Sequence, residues 1–340
     1  MKILITGIAG FVGSALARGI LQTKSAAQIF GIDNFKYGYR ERIKDIKERI
    51  CFVEGDIENI AQHFSGQKID IIIHCAAIAP LPECQIDSYR AINQNVAVCG
   101  SVVDFALRSG IRNIVFFSSG AVYEGQTIYP STEDQLISTR LTYPTTKILA
   151  ERFFESICNA HQINVTAIRL FNLYGPNQDY FRKQPPLIGY LLKCLLLEEQ
   201  ADLYSDGNQR RDYIYIEDLL NLVNTIACKM VDLKNDGQFT VVNACSGKTV
   251  SVNEIILEIE RLSGRQLSVV RNPPRGYWSK YSEINERAIP LNATIIEDEV
   301  KKFTQGSPEK AQNIFNWEAK IEMREGLKYC LDYAIQRFKI

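Results

Sequence analysis

Lys2-Ile-Leu-Ile-Thr-Gly7-Ile-Ala-Gly10-Phe-Val-Gly13 opens the chain and decides the fold. An apolar, β-branched run leads directly into three glycines, and an amphipathic stretch follows. That is the signature of a strand, a tight turn and a helix. Each glycine has a separate use. One permits the turn, one lets a ligand approach the backbone, and one lets helix and strand pack closely. The helix N-terminus then offers unpaired N–H groups and the positive end of its dipole, which suits a phosphate. With 21 glycines in 340 residues, chance supplies only about 0.08 such GxxGxxG matches. An ordinary glycine turn is therefore the weaker reading, although the spacing departs from GxGxxG.

Moving outward, short apolar runs at 2–6, 28–32, 50–54, 69–74, 113–118 and 165–170 read as strands. Helical stretches fit at about 11–21, 86–109 and 143–160. Strands that are apolar almost throughout are covered on both faces, as in a parallel sheet. The alternation predicts an α/β fold, a Rossmann-type doubly wound parallel sheet. After Leu170, Pro and Gly become frequent (Gly175-Pro176, Pro185-Pro186, Asp206-Gly207, Pro273-Pro274), and a smaller mixed α/β lobe is expected. Ser251-Val-Asn-Glu254 matches a capping box and predicts a helix start. The expected division is a dinucleotide-binding domain over 1–172 and a second lobe over 173–340, with a strand exchanged back from the C-terminal half.

Composition narrows the class. Lys plus Arg and Asp plus Glu both number 39, so no basic footprint points to nucleic acid. Nine cysteines without CxxC and three dispersed histidines give no zinc spacing. No metal is expected. Reduced thiols, no 18-residue apolar run and no secretory h-region lead to the expectation of a cytoplasmic protein.

Asp33 ends the second expected strand, 20 residues beyond Gly13. An acid there binds ribose hydroxyls and repels a 2′-phosphate, which favours NAD over NADP. Asp56-Ile57, after the third strand, is placed to meet the adenine edge.

Tyr143-Pro-Thr-Thr-Lys147 puts a phenol and an ammonium one turn apart on a helix face. About 0.9 YxxxK matches arise by chance in such a chain, so position must carry the argument. Ser118-Ser119 supplies it, at the end of the preceding strand, where strand C-termini of a doubly wound sheet point into the ligand crevice. A phenol lowered from a pKa near 10 to about 7 would be a general base, at a cost of roughly 4 kcal/mol. Lys147 and a positive nicotinamide ring together are expected to supply this.

With Arg169-Leu-Phe-Asn172-Leu-Tyr-Gly-Pro176 and Asp206-Gly-Asn-Gln-Arg-Arg211-Asp-Tyr213, these co-linear motifs resemble the extended short-chain dehydrogenase/reductases. The similarity is to the NAD-dependent nucleotide-sugar epimerase/dehydratase group, and most to the UDP-galactose 4-epimerases. The resemblance covers nearly the whole chain. It implies NAD contacts at Gly7, Gly10, Phe11, Val12, Gly13, Asp33, Asn34, Asp56, Ile57, Ala76, Ala77, Asn95, Ser118, Tyr143 and Lys147. It implies catalysis by Ser119, Tyr143 and Lys147. It places a nucleotide-diphosphate sugar, a UDP-sugar by the same analogy, against Ser119, Tyr143, Asn172 and Arg211. Either Arg271 or Arg275 is expected at the same diphosphate, with Tyr277 as gatekeeper beside the sugar. The competing reading of Arg211 is an ion pair with Asp212 or Asp218.

Within this resemblance, Gly120-Ala121 stands where dehydratases place Asp-Glu, and decarboxylases carry Glu near Ala121. Neither residue here is an acid or base. That leaves reversible oxidation and epimerisation, expected at C4. The rival readings are a reductase or dehydrogenase that releases its cofactor, and a catalytically silent NAD binder. The family also implies a homodimer through the helices at about 86–109 and 143–160. Three departures stand out: Ala79 in place of a Lys, Glu124 in place of Gly, and some two dozen extra residues at about 279–306.

Overall fold

Isoleucine dominates the strands because parallel strands are buried on both faces, and the computed structural model, which describes residues 1–23, 26–232 and 236–339, has that architecture. In chain order the strands are β1 (Lys2–Thr6), β2 (Gln28–Asp33), β3 (Cys51–Glu54), β4 (Ile71–His74), β5 (Asn113–Ser119), β6 (Asn164–Leu170), β7 (Asn172–Tyr174), β8 (Ala201–Leu203), β9 (Arg210–Tyr215), β10 (Phe239–Ala244), β11 (Thr249–Ser251) and β12 (Val269–Arg271). Seven of them form one parallel sheet in the order β10-β6-β5-β4-β1-β2-β3. The strand order reverses between β1 and β4, which pair in parallel from Ile3 with Ile71 to Thr6 with His74. A crevice opens at that switch point, beyond the strand C-termini.

The two faces follow the period of two. Ile3, Ile5, Ile71, Ile73, Val115 and Phe117 enter one apolar core. Leu4, Ile72, Ile114 and Phe116 enter the other. Helices Phe11–Thr23 and Ile216–Asp232 cover the first face, while Val98–Ser109 and Thr142–His161 cover the second.

The helix expected over 86–109 is not continuous. It divides into Leu81–Ile86, Ser88–Ile92, a π-helical turn at Asn93–Ala97 and Val98–Ser109. Asp87 makes the break, because its side chain accepts from Arg90 N at 2.9 Å and so starts a new helix. The capping box forms as read. Glu254 N donates to Ser251 Oγ at 3.1 Å, and Ser251 N donates to Glu254 Oε2 at 2.8 Å.

The smaller lobe holds the ribbon β11-β9-β7 and the pair β12-β8. Residues 279–306 include helices Ser282–Asn285 and Ala293–Lys301, and the second meets β9 where Arg211 donates to the Glu299 carbonyl. Among the described residues no helix is long and apolar enough to cross a membrane.

Candidate active site

The glycine loop is built for close approach. Gly7 adopts φ +68°, and a Cβ there would stand 2.9 Å from the backbone N and Cα of Ala76. A Cβ on Gly13 would stand 2.3 Å from the Gly7 carbonyl oxygen. Helix Phe11–Thr23 opens at this loop with no acid in its first turn. Its positive end therefore keeps its attraction for an anion. Beside it a cleft of about 110 Å³ is lined by Gly7, Gly10, Asp33, Asn34, Ile57 and Ala76, among others. Phe11, Val12 and Gly13 continue the same loop into the helix.

Asp33 sits at the floor of the cleft. Its Oδ2 accepts from Ala9 N at 2.9 Å and its Oδ1 from Phe35 N at 2.8 Å. Burial raises its pKa despite these bonds. Asp56 is turned away to Asn34 Nδ2 at 2.6 Å and Lys36 Nζ at 3.5 Å, so Ile57 rather than Asp56 reaches the cleft wall. Across the mouth, Tyr37 donates to Glu83 at 2.8 Å.

Helix Thr142–His161 brings Tyr143 and Lys147 to the end of β5. The Ser119 hydroxyl stands by the Tyr143 phenol, close enough to act on its pKa, and accepts from Ala121 N at 3.1 Å. Burial pushes Tyr143 up to about 12, with Ser119 opposing it. Burial brings Lys147 down to about 8. Its Nζ lies 5.8 Å from the Tyr143 ring centroid. The lysine alone therefore does not make the phenol a base, and the sequence expectation assigned that work to Lys147 and a nicotinamide ring together. His74 lies beneath, buried and held neutral near 3, sharing a 2.7 Å bond with Thr6.

Two residues expected at the cofactor face the other way. Ser118 Oγ donates to Glu151 Oε1, and Glu151 pairs with Arg169 at 2.8 Å. Arg169 reaches Tyr123 at 2.8 Å, and Tyr123 donates to Asn243 at 2.9 Å. This buried chain ties β5, β6, β10 and the Tyr143 helix together behind the crevice. Successive residues of a strand face opposite ways, so Ser118 and Ser119 divide these tasks. Asn95 spends its amide on the Ile78 backbone, accepting at 2.7 Å and donating at 3.0 Å. It fixes the loop that carries Ala76 and Ala77.

Asn172 Nδ2 donates to the Asp212 carbonyl at 2.8 Å. Arg211 pairs with neither Asp212 nor Asp218; it lies against Glu299 and the Glu299 carbonyl. Arg271 donates to Asn253 at 2.9 Å, and Arg275 Nε to Glu297 at 2.5 Å. Tyr277 is half-buried, with its ring 5.8 Å from that of Tyr204, and the charges of Glu299, Arg211 and Arg182 all act on it.

Two residues escaped the sequence reading. Arg182 lies near enough for its charge to act on both Tyr143 and Tyr277. Glu124 was noted only as a departure. Its carboxylate receives the amides of Arg140 and Leu141, the latter at 2.9 Å, and so sets the entry to the Tyr143 helix.

A switch-point crevice with a glycine loop, a strand-end serine and a helical Tyr-Lys pair define an extended short-chain dehydrogenase/reductase. Residues 3–243 match the model of the NAD dependent epimerase/dehydratase family, and the chain belongs to that family. It is 26% identical to a UDP-glucuronate 4-epimerase of Thermodesulfobacterium geofontis, over 99% of this chain and 97% of that one. It is 28% identical to a UDP-glucose 4-epimerase of Halalkalibacterium halodurans, over 96% and 92%. Its fold matches the crystal structure of a UDP-glucose 4-epimerase from Thermotoga maritima with a TM-score of 0.85, at 22% identity, over 99% and 100%.

Proposed function

We propose that this protein epimerises a nucleotide-diphosphate sugar at C4 through a transient keto sugar, with NAD as a resident cofactor. The observation that carries this is the meeting of Ser119 and Tyr143 at the end of β5. The glycine loop fits NAD: a side chain at Gly7 or Gly13 would fill the space against Ala76 or the loop itself. Gly7, Gly10 and the helix N-terminus would hold its pyrophosphate, and Asp33 its adenosine ribose. When bound, NAD supplies the acceptor for the C4 hydride and the donor for its return.

The remaining work belongs to the chain. Tyr143 takes the C4 hydroxyl proton as the carbonyl forms and gives it back on reduction. Ser119 hydrogen-bonds the same oxygen and keeps the phenol aimed at it. Lys147, fixed on β5, would meet the nicotinamide ribose. Asn172 and Arg211, with Arg271 or Arg275, are assigned to the nucleotide diphosphate, and a guanidinium suits phosphate oxygens. Tyr277 is assigned to the sugar. Gly120 and Ala121 offer no acid or base for dehydration.

The relatives name UDP-glucose and UDP-glucuronate as the first sugars to test. We assign the protein to the cytoplasm and to a homodimer packed through helices Val98–Ser109 and Thr142–His161. Leu107 and Leu149, 38% and 46% exposed, support that face. Phe105, 1% exposed on the same helix, belongs to the core.

The test is proton NMR with a panel of UDP-sugars and trace NAD+. Growth of the C4 epimer's anomeric signal to a fixed ratio, without NADH, is the expected result. Stoichiometric consumption of NAD(H) would identify a reductase or dehydrogenase instead. No change across the panel, with NAD bound, would refute epimerisation of these sugars.

A further inference from the structure

The extra segment after Tyr277 folds back onto the crevice and takes hold of its arginines. Asn292 caps helix Ala293–Lys301, with Oδ1 accepting from Thr294 N at 3.0 Å. On the inner side, Ile296 joins Leu141, Trp278, Tyr281 and Ile284 in one apolar cluster. Leu141 lies two residues before Tyr143. The helix is thus seated against the entry to the catalytic helix.

Three consecutive acids on this helix meet arginines from three other segments. Glu297 accepts from Arg275 at 2.5 Å and Asp298 from Arg140 at 2.8 Å. Both arginines are well exposed, and such pairs contribute little. Glu299 differs. It and Arg211 have side chains only 11% and 15% exposed. Arg211 Nη2 donates to the Glu299 carbonyl at 2.6 Å, while Nη1 stands 3.9 Å from the Glu299 carboxylate. Lys302 closes on the same carboxylate at 2.7 Å, and its side chain is 11% exposed. Two shielded cations therefore hold the Glu299 carboxylate between them, and Glu124 stands close enough to feel the charges of Lys302 and Glu299. Arg211 stands on β9 next to Asp212, whose carbonyl accepts from Asn172, and the charges of Arg211 and Glu299 both reach Tyr277.

We propose that Glu299 is a built-in stand-in for the substrate's diphosphate, which must displace it from Arg211 and Lys302 to bind. Helix Ala293–Lys301 is then an internal competitor. It keeps the cationic subsite ordered when empty and sets a threshold that only a doubly charged diphosphate passes. The inference rests on the nucleotide-sugar reading and adds Lys302 to the groups that contact the diphosphate.

The experiment is calorimetric titration of the NAD-loaded full chain with UDP, which requires no turnover. Glu299→Gln keeps the shape and removes the charge, and it is expected to bind UDP roughly three- to tenfold more tightly. Glu299→Asp keeps the charge and is expected to stay near the wild-type affinity. Lys302→Met is expected to weaken UDP binding. Acrylamide quenching of Trp278 gives a second readout. Trp278 is 1% exposed in the apolar cluster, and its quenching should rise on UDP addition to the wild type. Unchanged or weaker UDP binding by Glu299→Gln, with the wild type binding UDP, would overturn the competitor alone. Failure of both proteins to bind UDP would overturn the nucleotide-sugar reading together with it.

Discussion

Lys147 donates through Nζ to the carbonyl oxygen of Phe117 at 2.8 Å. The ammonium is thereby fixed to the end of β5, beside Tyr143 but not bonded to it. Tyr143 stays near 12 in the free chain, so the positive charge that lowers it must arrive with the cofactor.

This predicts a titration. Difference absorbance at 295 nm, wild type minus Tyr143→Phe, should show no step between pH 6 and 9 without NAD+. With NAD+ bound, a step should enter that range. A step near pH 7 in the NAD-free protein would contradict the assignment. Tyr143→Phe should also lower turnover by about 10²–10⁴-fold.

Burial holds Lys147 at about 8 against its ordinary 10.5. The unfolded chain therefore binds more protons between those values, and stability rises with pH through that window. Lys147→Met should melt at or above the wild type at pH 7, a gain on the order of 1–3 kcal/mol. The gap should narrow by pH 10, and turnover should be lost at every pH. Thermal melts across the range read this directly.

Ser118 and Ser119 should separate by phenotype. Ser118→Ala removes a buried bond to Glu151 and should cost about 1 kcal/mol of stability with turnover largely kept. Ser119→Ala should keep stability and lose turnover by 10-fold or more, by the usual scale of a lost acid–base partner. Glu151→Ala strands the buried Arg169 guanidinium and should cost about 3–5 kcal/mol, measured by urea unfolding.

Gly13→Ala places a methyl 2.3 Å from the Gly7 carbonyl, so the helix must shift away from the loop. A stability cost of about 1–3 kcal/mol is expected. Calorimetry should also show a loss of NAD+ affinity beyond tenfold.

Much of this was legible because it is local. Period-two burial, the glycine turn and the capping box depend on neighbours within a few residues. The division between Ser118 and Ser119 was missed, although a strand turns adjacent side chains to opposite faces and the signal lay in the pair itself. What else escaped depends on distance in sequence. Arg211 finds Glu299 88 residues away. Asn95 reads equally well as a ligand or as a brace, and only the Ile78 backbone beside it decides. The break at Asp87 was hidden because apolar periodicity continues on both sides of it.

The far edge of the sheet has one more consequence. β10 pairs with β6 from Phe239 with Val165 to Ala244 with Leu170, although the smaller lobe's β7, β8 and β9 lie between them in the chain. Cleaving the polypeptide after 172 would leave β6 with a bare, apolar margin, the kind of template on which chains stack. The first half of the chain is thus not portable: it becomes a finished fold only after the second half has been made and has sent a strand home.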